Sequence, residues 1–74
     1  MTRENFDRAF EARQRRRPWK PFTLELVTGS RIEVNHPESL SWHGELLMCK
    51  SSSGLQTVFE CTSVVQLIGG TGPT

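Results

Sequence analysis

The sequence predicts a mainly β fold, an N-terminal α-helix followed by a small, strongly bent antiparallel sheet or barrel. Three observations predict it. Apolar residues recur at helical spacing only ahead of Pro18, period-2 alternation begins at Phe22, and turn signals then recur about every eight to twelve residues. An open sheet with the helix across one face satisfies the same pattern.

The helix is expected from about Glu4 to Arg16. Phe6, Ala9, Phe10 and Arg13 fall at i, i+3, i+4 and i+7, a narrow apolar stripe on a charged cylinder, so Phe6 and Phe10 should face the sheet. Glu4 and Asp7 lie in the first turn and Arg13 to Arg17 near the last, the polarity that the helix dipole favours. Glu4 can also pair with Arg8, four residues on. Pro18 and Pro21 disfavour helical geometry at Arg17 and Lys20, so the helix stops and the arm should be held out stiffly.

Phe22, Leu24 and Leu26 alternate with Thr23, Glu25 and Val27, the pattern of a strand with one buried face. Thr28-Gly29-Ser30 supplies a tight turn, and Ile32 and Val34 continue the inward face. His36-Pro37-Glu38-Ser39 then forces a bend, because proline donates no ladder hydrogen bond. Leu40 and Trp42 form a third apolar alternation that Gly44 breaks. Leu46 to Cys49 is apolar on both faces, so one face is expected to meet the helix or another subunit. Ser51-Ser52-Ser53-Gly54 reads as a loop, after which Leu55, Thr57, Phe59 and Cys61 are expected inward and Val64 to Ile68 forms the last strand. One domain is expected over residues 1–68, helix about 4–16 and sheet about 22–68, with residues 69–74 a frayed tail.

At 74 residues the core is thin, since a chain this short buries only about 60% of its unfolded surface. Ordering it costs about 1.5 kcal/mol per residue, which so small a sheet barely offsets, and self-association would relieve the shortfall. The net charge of +1 conceals an asymmetry: residues 1–20 carry seven cations against three acids, and the remainder carries Arg31 and Lys50 against five glutamates. A basic arm and an acidic sheet on different copies could dock, in an assembly that salt weakens. The chain shows neither the apolar core of a signal peptide nor a membrane-spanning run, so a cytoplasmic location with no membrane partner is expected, with Cys49 and Cys61 as free, buried thiols.

The stretch Arg17-Pro18-Trp19-Lys20-Pro21-Phe22, with Gly29 and His36-Pro37-Glu38, resembles a group of small bacterial proteins of unassigned function. These carry a Pro-Phe-x-Pro-Phe strand start, a Gly turn and a His-Pro-Glu motif, and here Trp19 stands for the first aromatic. More distantly, Leu26-Val27-Thr28-Gly29-Ser30-Arg31-Ile32 and the segment Thr57 to Val65 are similar to the two hairpins of Sm-like proteins, among them bacterial RNA chaperones. That resemblance implies an SH3-like or Sm-like barrel, ring assembly through edge strands, and binding of U-rich or A-rich RNA. The chaperones have Tyr-Lys-His where this chain has Phe59-Glu60-Cys61, and an acid at that place would repel phosphate.

The strongest chemical signal is Arg13, Arg15, Arg16, Arg17 and Lys20 with Trp19 among them. Guanidinium forks hold phosphate and an exposed indole stacks on an unpaired base, so the cluster suits single-stranded nucleic acid or an acidic partner. The competing reading is a solvated helix end with Trp19 folded onto the core. His36, Pro37 and Glu38 form a second candidate partner site, an imidazole and a carboxylate at a bend, although turn chemistry alone accounts for all three.

His36, His43, Cys49 and Cys61 lack the paired spacing of a zinc site, so no metal is expected. The serines lack a nucleophile elbow and the glycines cradle no phosphate, so neither a cofactor nor catalysis is expected. The sequence therefore reads as a non-enzymatic binding or assembly module acting through protein contact and self-association, a homo-oligomer with an unidentified protein partner. The alternative is an Sm-like single-stranded RNA-binding protein using the arginine arm.

Overall fold

The computed structural model describes residues 1–70. One helix, α1 (Arg3–Arg15), precedes six strands: β1 (Phe22–Leu26), β2 (Arg31–Val34), β3 (Leu40–His43), β4 (Leu46–Lys50), β5 (Gln56–Glu60) and β6 (Val64–Gly69). A single 3-10 turn, Cys61–Ser63, joins the last two. The strands form two antiparallel sheets ordered β2-β1-β6 and β3-β4-β5, and among the described residues no ladder runs continuously between them. No helix among these residues is long and apolar enough to cross a membrane.

Local chemistry starts and stops each element. Thr2 caps α1, its Oγ1 accepting from the Asn5 N–H at 3.2 Å and its carbonyl from the Phe6 N–H at 2.9 Å. Arg16 leaves the helix with extended backbone, and Pro18 disfavours a return to helical geometry at Arg17. Gly29 turns the β1–β2 hairpin with a φ of +88°, a conformation other residues adopt only at a cost. The bend at Pro37 separates β2 from β3, which places the two halves of that run in different sheets.

The core lies between the sheets and beneath the helix. Phe22, Leu24, Val34 and Val64 come from the first sheet, and Leu40, Leu47, Cys49 and Phe59 from the second. Phe6 enters from α1 and Cys61 from the 3-10 turn. Both thiols are free and buried, and burial pushes the Cys49 thiol above its ordinary range.

Three expectations need correction, and one strand is specified further. The arm is not held out. Phe6 meets Trp42 of β3 edge-on at 5.8 Å, and Phe10 lies 6.2 Å from Phe22 of β1, so α1 closes over both sheets. The prolines set the direction of the linker, but burial of the aromatic stripe decides where the helix rests. Leu55 and Thr57 are exposed rather than inward, because β5 is an outer strand that covers the core only at Phe59. Leu46 to Cys49 forms a central strand, with Leu47 and Cys49 buried and Leu46 and Met48 on the outer face. Gly69 pairs with Phe22, and Gly70 is buried with its Cα facing the Phe22 side chain, where an added Cβ would stand 3.0 Å from the Phe22 Cβ. Residues 71–74 of the expected tail lie outside the described residues.

Candidate functional site

The basic arm divides by what each cation already holds. The hairpin bond from the Leu26 N–H to the Ser30 carbonyl, 2.9 Å, turns the main-chain groups of Phe22, Leu24 and Leu26 toward β2 and those of Thr23 and Glu25 toward β6. Their partners Ile68 and Gln66 therefore face β1, and the carbonyls of Leu67 and Gly69 point off the sheet edge. Arg13 occupies both. Its Nη2 donates to Leu67 O at 3.1 Å and its Nε to Gly69 O at 3.0 Å. Nη1 reaches back to Ala9 O at 3.0 Å, with the guanidinium 5.8 Å from the Phe22 ring. Desolvation by this burial lowers the Arg13 pKa from its ordinary value. An edge strand is commonly shielded by charge, and here the charge is bonded to its carbonyls.

The neighbouring groups are partly engaged as well. Arg15 is paired with Glu11 one turn back. Arg17 Nη1 donates to the carbonyls of Gln14, at 2.7 Å, and Arg16, at 2.9 Å. Arg16 is half-buried, with an Nε that has no hydrogen-bond partner among the described residues. Trp19 does not lie free as a stacking platform: its Nε1 donates to Gln14 Oε1 at 2.8 Å and its ring packs edge-on to Phe22 at 6.1 Å. Lys20 is half-buried and makes no ion pair or side-chain hydrogen bond among the described residues.

The bend stands beside the arm. His36 Nδ1 accepts from the Glu38 N–H at 3.1 Å, and Pro37 O accepts from Gln14 Nε2 at 2.8 Å. His36 and Glu38 line a cleft of about 430 Å³ with Glu33, Asn35, Lys50 and Ser51. No three His, Cys, Asp or Glu side chains among the described residues gather as metal ligands would. Gln14 thus ties the two candidate sites together, a role that nothing in its sequence position signals. Replacing Gln14 with Ala is expected to cost about 1–2 kcal/mol, one unmade hydrogen bond at each end, and to shift tryptophan emission as the Trp19 indole loses its acceptor. Unchanged thermal unfolding and emission would show that Gln14 pins neither group.

A third surface is the outer edge of β5. The bond from the Ser51 N–H to Leu55 O, 2.8 Å, makes Cys49–Thr57 and Leu47–Phe59 the hydrogen-bonded pairs of β4 and β5. The main-chain groups of Gln56, Val58 and Glu60 therefore point off the free edge. Among the described residues no strand bonds to them, and of these groups only the Glu60 carbonyl is engaged, as the first acceptor of the 3-10 turn Cys61–Ser63. Val58 is 58% exposed, opposite Met48 on the outer face. The available signal was the unbroken run Thr57-Val58-Phe59, whose middle residue alternation assigns to solvent despite being apolar.

No protein-family model matches the chain, and neither the curated proteins nor the solved structures contain a match.

Proposed function

We propose that the protein is a small binding and assembly module, acting by self-association and protein contact rather than by catalysis, in the cytoplasm where Cys49 and Cys61 stay reduced. The observation that carries this reading is the bare edge of β5 beside the covered edge of β6. An uncapped edge with an apolar residue at its centre is a template for another strand. The contrast between the positive first 20 residues and the negative remainder adds an attraction between copies.

The runner-up, an Sm-like protein holding single-stranded RNA on its arginine arm, has fewer groups to draw on. Arg13 and Trp19 are engaged inside the fold, which leaves Arg15, Arg16, Arg17 and Lys20 for phosphates.

Light scattering on nuclease-treated protein, over a range of concentrations at low and high salt, tests the reading. A mass above that of the 8.4 kDa chain, rising with concentration, is the expected result. A monomer throughout would overturn it. If that monomer also retains a U-rich or A-rich oligonucleotide with steep salt dependence, the RNA reading takes its place.

A further inference from the structure

We infer that the strand which completes β5 is β5 of a second copy, paired antiparallel about a two-fold axis through Val58. This rests on the self-association reading and specifies its geometry. A two-fold axis requires that the same surface serve on both copies, and β5 meets that condition. Its outward main-chain groups belong to Gln56, Val58 and Glu60, a set symmetric about its middle member. Centring the axis there matches Val58 with itself and Gln56 with Glu60 of the other copy. Each match lies at a hydrogen-bonded position, and with each Glu60 carbonyl already serving its own 3-10 turn about four main-chain bonds form.

The side chains agree with this register. On the outer face Val58 meets Val58, and each has Met48 behind it on β4, giving an unbroken apolar row across four strands. In the flanking rows Glu60 faces Gln56 of the other copy, beyond which stands Lys50, its partner on β4. Opposite charges thus share a row, about 10 Å apart across two strand spacings, with an amide between them. No like charges stand opposite each other. Sliding the pairing by two residues toward the end of β5 sets Val58 against Glu60 and loses the apolar row.

The competing arrangement, β5 of one copy on β6 of the next around a ring, meets an obstacle on the second strand. Leu67 O and Gly69 O already accept from Arg13. A ring would have to displace that guanidinium from two carbonyls. On the β5 edge no side chain among the described residues holds the main-chain groups, and only the Glu60 carbonyl at its end is engaged, by the 3-10 turn.

The test is a charge exchange at position 58. Val58→Lys and Val58→Glu each place like charges opposite one another across the axis, so each variant alone should lose at least about tenfold in dimer affinity. Mixed in equal amounts, they should regain the dimer, because Lys then faces Glu. A second variant guards against misfolding: Val58→Cys leaves the fold undisturbed at an exposed position, and a short bismaleimide should join it into covalent dimers that the wild-type chain, with its buried thiols, does not give.

Variants that each keep the wild-type mass would overturn the β5 pairing. A mixture that stays monomeric, or a Val58→Cys chain that does not cross-link above wild type, would overturn the two-fold register. An oligomer larger than a dimer and indifferent to all three variants would leave self-association standing while removing this geometry. A wild-type monomer would remove both.

Discussion

Phe6→Ala is expected to be the most damaging single substitution, costing about 3–5 kcal/mol. Phe6 has no exposed surface, and its ring packs against Trp42 at 5.8 Å and 85° and against Phe10 at 5.8 Å. It is the one fully buried side chain that the helix contributes. Truncation therefore leaves a cavity and also removes what holds α1 on the sheets, including the Arg3 guanidinium that sits 4.3 Å over Trp42. A domain of this size unfolds with about 5–15 kcal/mol at most, so a large fraction of the total is lost. Thermal unfolding followed by circular dichroism should show the midpoint falling by at least about 12 °C. Phe10→Ala, at a half-buried position, should cost clearly less. A drop of only a few degrees for Phe6→Ala would mean that α1 contributes little to the folded state.

The second large effect is expected at Arg13. Arg13→Leu keeps an apolar stem against Phe22 but removes three donors, leaving Leu67 O, Gly69 O and Ala9 O without them. Water can reach these carbonyls, so the cost is discounted from three full charge-assisted bonds to about 2–3 kcal/mol. Arg13→Lys should recover only part of it, because one ammonium cannot span two carbonyls as the planar fork does. The edge of β6 is also uncovered, so Arg13→Leu should associate more readily than the wild type, with a light-scattering mass that grows with concentration. If the arginine served phosphate instead, Arg13→Leu would melt as the wild type does and lose only nucleic acid. Equal stability of the two proteins would remove the clamp from the account.

These two residues show how differently the parts of the chain could be read. The period of Phe6 and Phe10, the glycine at the first hairpin and the proline at the bend are local facts, because helical spacing, positive φ and a missing donor act within a few residues. The helix, the β1–β2 hairpin and the break before Ser39 were legible on that basis. The candidate sites were legible only as residue types. Arg13 and Arg16 look alike in a basic run, yet one is held by carbonyls more than 50 positions away while the other leaves its Nε without a partner among the described residues. Trp19 carries the same ambiguity: an indole in an arginine cluster suits a base, and here it is fixed by Gln14 and Phe22.

By itself, then, the sequence determined the fold class, the order of the elements and, outside β5, the faces they bury, because periodicity and turn chemistry are written into neighbouring residues. Tertiary structure alone decided which strands are central and which are edges. Alternation tells a strand which side is apolar but carries no information about who lies beside it. The apolar run Leu46 to Cys49 became the middle of its sheet, and the more polar β5 was left with an open edge. Whether an arginine is free or bound, and whether an edge is covered or bare, depends on chain segments brought together only when the two sheets and the helix close on one core.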